Sequence, residues 1–274
     1  MALVFVFILL SLGIGLSQAS SAPKSVTLRW LRLGDLIALC LVSMSLIWAF
    51  WMPREQAEVT TSPPTAAQIA LLAGFIAHLL TVQMGRRVGQ RVISIATCTL
   101  AMILFGVALH TDSQLGHWFG LTPPLSVGAV IVRVLALMLS GWLLGGFIMT
   151  MLLGHAYLTA GGEMTQAPFL RHHRILLAVM VVRLIQACAV GLYPWWQAVS
   201  GHLEEPAVTW QILLVINRFL VGLLVPIGLT VMSHQCARIR ANQSATGILY
   251  VSGILILIGE LTALSLTTGT GRVF

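Results

Sequence analysis

Four ionisable side chains stand inside long apolar runs: Arg133, Arg183, Arg218 and Glu260. Insertion scales put an arginine near a bilayer centre at about +2.5 to +3.5 kcal/mol, so each must face protein, water or a ligand. Three guanidinium groups against one carboxylate leave a positive excess. Such an excess suits a quinone carbonyl, a haem propionate or a transported anion. Gln186, about one turn after Arg183, and Asn217, beside Arg218, add hydrogen-bonding groups. A plainer reading is a Glu260–Arg218 or Glu260–Arg133 ion pair that holds helices together while the other arginines snorkel. The residue types alone leave both readings open.

The histidines form a second constellation. His78 lies in Gly74-Phe75-Ile76-Ala77-His78, inside an apolar run. An imidazole at that depth can relay a proton or hydrogen-bond a quinol hydroxyl, or it can be an ordinary satisfied polar residue of a bundle. His155 and His234 both fall near cytoplasmic helix ends and so match in depth, which is what two ligands of a b-type haem require. Against that stands capping of helix C-termini, which favours a histidine there without any cofactor. His172-His173, flanked by Arg171 and Arg174, reads as a solvated basic loop. Cys40, Cys98, Cys188 and Cys236 are too scattered for an iron–sulfur or zinc framework, and no metal site is expected. No Walker A, GxSxG or HExxH pattern occurs, which argues against ATP-driven or hydrolytic chemistry in this chain.

These side chains must be positioned by apolar helices. Of 274 residues, 58% are hydrophobic and 8% charged, whereas soluble domains carry about 25% charged residues. A water-soluble fold is excluded. Runs long enough to cross a bilayer cover about 2–18, 36–51, 66–84, 92–110, 125–158, 175–193, 210–234 and 247–266. The expectation is an all-α, polytopic membrane protein, a bundle of about eight transmembrane helices forming one domain over residues 1–274. The fifth run is long enough to tilt, project or break near Ser140-Gly141 or Gly145-Gly146. Gly141 and Gly145 also make a GxxxG spacing, whose simplest use is close helix packing.

Orientation follows the basic residues. Alternate connections carry Lys24, Arg29 and Arg32; Arg86, Arg87 and Arg91; Arg171 and Arg174; Arg238 and Arg240. The others carry only Arg54 and Arg272, with Glu55, Glu58, Asp112, Glu204 and Glu205. Cytoplasmic loops collect Lys and Arg, so both termini are expected outside the cytoplasm. On that topology Arg133 and Arg218 lie about 12 Å deep from the outer face. Glu260 falls in the outer half and Arg183 nearest the midplane. The first run could be a signal peptide, but basic residues follow it rather than precede it, which favours a retained helix. The net charge of +7 is explained by this bias, with no role for nucleic acid. Trp48, Trp51, Trp118, Trp195, Trp196 and Trp210 suit an interfacial aromatic belt.

The last run, Val251-Ser252-Gly253-Ile254-Leu255-Ile256-Leu257-Ile258-Gly259-Glu260-Leu261, resembles the closing helix of integral membrane anchors of the DMSO-reductase and polysulfide-reductase type. Their Gly-Phe-Ile-Ala segment with a nearby histidine is similar to Gly74 to His78, although here the histidine sits on the third span. The resemblance implies a quinone-reactive anchor that exchanges electrons with partner subunits. Its cofactor would be quinone; a b-type haem on His155 and His234 is the further candidate that their matching depth offers, and the compact loops and topology point to a bacterial cytoplasmic (inner) membrane. In that picture Arg133, Arg183 and Arg218 polarise the quinone oxygen, while His78 or Glu260 exchanges its proton. A secondary transporter of a small anion or proton-coupled solute would use the same charges as a pathway. A structural scaffold subunit would need none of them to act.

Overall fold

Apolar composition with few helix breakers leaves each run one stable form in lipid, a helix that satisfies its own backbone. The computed structural model describes residues 2–21, 25–51, 65–111, 115, 126–159, 165–199 and 205–270. Lys24, Arg54, Glu55, Glu58, Asp112, His117, Trp118, His202, Glu204 and Arg272 lie outside these, as do the side chains of Arg87, Trp195, Trp196 and Glu205.

The helices are α1 (Ala2–Ser20), α2 (Leu28–Trp51), α3 (Thr65–Gln83), α4 (Arg87–Thr111), α5 (Val127–Thr159), α6 (Ala167–Val199), α7 (Glu205–Ile216), α8 (Val225–Arg238) and α9 (Asn242–Thr270). A π-helical segment, Asn217–Leu224, fuses α7 and α8 into one span. Seven helical spans are long and apolar enough to cross a membrane, and α1 is a shorter apolar helix beside them. No strand occurs among the described residues. The molecule is a polytopic helical membrane bundle.

Most helices extend beyond the apolar runs. α2 begins at Leu28 and carries Arg29, Arg32 and Asp35 within it. α6 begins at Ala167, so His172 and His173 are helical and buried, correcting their reading as a solvated loop. Helical period explains this: Arg171 and Arg174 share the exposed face, and the two histidines between them turn inward. α5 runs unbroken for 33 residues. The interruption falls in the seventh span instead, ahead of Pro226, a residue that has no N–H to donate to the preceding turn.

Two groups of helices meet across an α1–α5 seam. α1 stands centrally and packs on α2, α3, α4 and α5, while α9 packs on α5, α7, the π segment and α8. The seam depends on glycine. A Cβ at Gly13 of α1 would overlap the Gly141 carbonyl, and one at Gly145 would strike the backbone of Gly13 and Ile14. The GxxxG pair therefore serves close packing, with α1 as its partner.

The turns α3–α4 and α8–α9 close by one device. Arg86 N–H donates to the Thr81 carbonyl around Gly85, at φ +68°, and Ala241 N–H donates to the Cys236 carbonyl around Arg240, at φ +60°. Arg29, Arg86, Arg91, Arg171, Arg174, Arg238 and Arg240 are all exposed at the end of the bundle where these turns lie. We term it the arginine-rich end.

Candidate functional site

Burial here is inverted relative to a soluble protein. Phe50, Ile47, Ile185, Trp210 and Ile254 are exposed, as a lipid-facing surface requires. Arg183, Arg218 and Asp35 are 1%, 0% and 0% exposed, so charge is concentrated inside.

The main cluster is assembled by α5, α6, the π segment and α9. Arg183 of α6 donates from Nη2 to Glu260 Oε2 at 2.8 Å and from Nε to Oε1 at 3.4 Å, a two-point grip on the carboxylate. The same Nη2 donates to Ser140 Oγ at 2.6 Å, and Nη1 to Gln186 Oε1 at 2.9 Å. Arg218 Nη1 lies 2.9 Å from Glu260 Oε1 in a second ion pair. Arg218 Nε and Nη2 have no hydrogen-bond acceptor among the described residues. One carboxylate thus serves two buried guanidinium groups.

Glycine again brings the parts together. Gly222 of the π segment and Gly259 of α9 face each other so closely that a Cβ on either would collide with the other's backbone. Glu260 follows directly, and Arg218 lies about one turn before Gly222. Asn217 Nδ2 donates to Thr262 Oγ1 at 2.7 Å and pins the same two elements just beyond. Beside Glu260 lies a cavity of about 30 Å³, lined by Arg133, Ser140, Arg183, Glu260 and Thr267 with apolar groups of α1, α5 and α9. It has room for one or two water molecules or a small ion.

The remaining sequence candidates stand elsewhere. His78 lies in the last third of α3, about one turn past its midpoint toward the arginine-rich end. Both carboxylate oxygens of Asp35 are 2.8 and 2.9 Å from its Nδ1. α3 packs on α1, α2 and α4, so His78 belongs to a different group of helices from Glu260. His155 is exposed on α5. His234 of α8 instead stacks near His173, with ring centroids 5.8 Å apart. α5 and α8 share no substantial packing, and His155 and His234 make no direct contact with each other. Among the described residues no group of three His, Cys, Asp or Glu side chains could hold a metal.

Several buried polar residues escaped the sequence reading. Asp35 accepts a hydrogen bond from Gln18 Nε2 at 3.0 Å besides pairing with His78. Periodicity could have found it, because Leu31, Gly34, Asp35, Ala38, Val42 and Ser45 form one buried face. Ser17 of α1 and Ser21, just past its end, flank His172, with Ser21 Oγ 2.8 Å from Nε2. His173 Nδ1 donates to the Phe169 carbonyl at 2.9 Å, and Nε2 lies 2.8 Å from Ser233 Oγ. Nothing local in the sequence announces these pairings.

Comparison of the chain with protein-family models, with curated proteins and with solved structures finds no match in any of the three.

Proposed function

We propose that this chain binds a small anion inside the membrane and passes it across, with the Arg183–Glu260–Arg218 cluster as the binding site. The observation that carries this reading is the charge balance of a site closed to bulk water. Two guanidinium groups share one carboxylate, and Arg218 Nε and Nη2 have no acceptor among the described residues. A net positive charge in a low-dielectric interior is costly until an anion neutralises it. The adjoining cavity, with Arg133 on its wall and Ser140 as a further hydroxyl, has the volume for a monatomic or small polyatomic anion. In this mechanism the Glu260 carboxylate is the resident anion. An incoming anion competes for Arg183 and Arg218, and displacement of Glu260 opens the site. The interrupted span that carries Arg218 supports this use, since broken helices are a recurrent feature of transporter sites.

The test is anion-gradient-driven uptake of chloride, nitrate or formate into liposomes containing the purified full-length chain. Arg218→Gln should weaken apparent affinity about tenfold or more, because a charge-assisted hydrogen bond contributes about 1.5–3 kcal/mol. Absence of saturable uptake of all three anions by the native chain would overturn the reading.

A second reading, a quinone-reactive anchor of an electron-transfer complex in a bacterial cytoplasmic membrane, draws on two observations. The apolar run of α9 ends in Gly259-Glu260. A lipid-facing groove of about 420 Å³ between α4 and α5, floored by Leu16 and Ala19 of α1, is wide enough for an isoprenoid chain. The cavity at Glu260 is about a tenth of an ordinary ligand pocket, so a quinone ring would have to bind outside it. Quinone extraction and a reduced-minus-oxidised spectrum of the purified protein decide between the two, and the same spectrum tests for haem.

A further inference from the structure

We infer that His78 and Asp35 form a proton-loading site, reached from the arginine-rich end past Gln90 and Gln18, that exchanges a proton with each anion the Glu260 cluster handles. This deepens the anion reading and rests on it for the coupling, though the proton site itself stands on its own geometry.

The dyad is buried and oriented. His78 is 2% exposed and Asp35 0%, and the carboxylate takes the Nδ1 side of the ring with both oxygens. A carboxylate can only accept, so Nδ1 carries the hydrogen and the lone pair of the neutral ring is at Nε2. Nε2 has no partner among the described residues. Gln18 Nε2 donates to Asp35 Oδ1 and to the Leu31 carbonyl, each at 3.0 Å, which fixes the carboxylate and leaves Gln18 Oε1 without a partner.

Gln90 supplies the approach. It is 2% exposed, and neither Oε1 nor Nε2 has a hydrogen-bond partner among the described residues. Register places it near the dyad. Gly74 of α3 lies against Thr97 of α4, and Ser94 of α4 donates to the Gly15 carbonyl of α1 at 2.8 Å. Following these antiparallel pairs toward the arginine-rich end sets Gln90 about one turn beyond His78, at the level of Gln18 and Ala19. A donor and two acceptors with no partner among the described residues, at about the level of the dyad, are the setting in which buried water completes the hydrogen bonding.

The charge account suits proton loading. A proton arriving by water at Nε2 turns the imidazole into imidazolium, and the dyad passes from net −1 to neutral. Return of that proton to water restores the starting state, with no other bond made or broken. The elements packed on α3 are α1, α2 and α4. Toward His78, α1 brings the uncharged Ser17 and Gln18, and α2 brings Asp35, with Arg32 one turn nearer the rim. α4 brings Gln90 and Ser94, with the Cys98 thiol one turn deeper and bonded to the Leu12 carbonyl. Arg86 and Arg91 are exposed. Asp35 is thus the carboxylate in contact with the ring.

The experiment uses liposomes of the full-length chain that enclose a pH-sensitive dye, with nitrate as the driven anion. In the native protein, nitrate entry should be accompanied by a change of internal pH. His78→Gln should reduce the proton movement about a hundredfold while leaving nitrate exchange in place. Gln90→Leu should slow the proton movement and spare nitrate exchange. Undiminished proton movement in His78→Gln overturns the coupling. If the native chain moves no anion, the transport reading has failed and the proton site is judged separately. A ring ¹⁵N resonance that His78→Gln deletes should change reversibly when the medium is acidified and restored. A resonance that does not respond overturns the proton site.

Discussion

Glu260 holds two arginines from different helices, and its removal is informative for that reason. Glu260→Gln leaves both guanidinium groups buried without a counter-charge, a loss expected to cost about 3–5 kcal/mol. Thermal unfolding in detergent measures it. The anion reading adds a stricter expectation: the same variant should recover stability on addition of nitrate or chloride. Recovery should reach about 2.7 kcal/mol at a hundredfold excess over Kd, because a ligand that binds only the folded state adds its binding free energy. A purely structural ion pair would show no such rescue. Arg183 and Arg218 act through the same carboxylate, so Glu260→Gln combined with Arg218→Gln should be milder than the sum of the single changes. His155, exposed on α5, should tolerate replacement by glutamine within about 0.5 kcal/mol.

At the scale of elements, the contacts that place the site are glycine on glycine. Gly259→Val would push α9 away from the π segment and separate Glu260 from Arg218, and it should behave at least as badly as loss of the carboxylate. Gly228 of α8 gives the control. A Cβ there meets nothing within 4 Å, so Gly228→Ala should stabilise the protein by about 1 kcal/mol through helix propensity alone. Unfolding midpoints of the two variants in one detergent test the contrast. α1 makes the same point on a larger scale. Its sequence reads equally as a terminal hydrophobic segment, yet it packs on four helices, and Ser17 and Gln18 from it reach His172 and Asp35. Both groups of helices, and both buried polar sites, lean on this one helix.

Across the described residues, the exposed arginines lie at one end, and the charge bias of membrane insertion predicts that this end faces the cytoplasm. In a background with Cys40, Cys98, Cys188 and Cys236 replaced, a single cysteine at Arg171 or Arg240 should resist an impermeant maleimide added outside intact bacterial cells and react after permeabilisation. A cysteine at Glu58 should react without permeabilisation. The reverse pattern would invert the topology, and with it the side from which His78 is reached.

The amino-acid sequence by itself determined that the chain is a helical membrane protein of about eight apolar segments, and it marked Arg133, Arg183, Arg218 and Glu260 as residues that must find polar company. Both follow from transfer free energies that add residue by residue along a segment, so no partner need be known. Helix ends were misjudged wherever a charge was taken as a boundary, because an amphipathic turn such as Arg171-His172-His173-Arg174 continues a helix while alternating outside and inside. Which polar residue meets which was settled only by rotation and register in the folded bundle. Those depend on Gly13 against Gly145 and Gly222 against Gly259, contacts between residues far apart in the chain. The same packing joined Glu260 to two arginines, gave His78 to Asp35 rather than to that cluster, and left His155 facing outward.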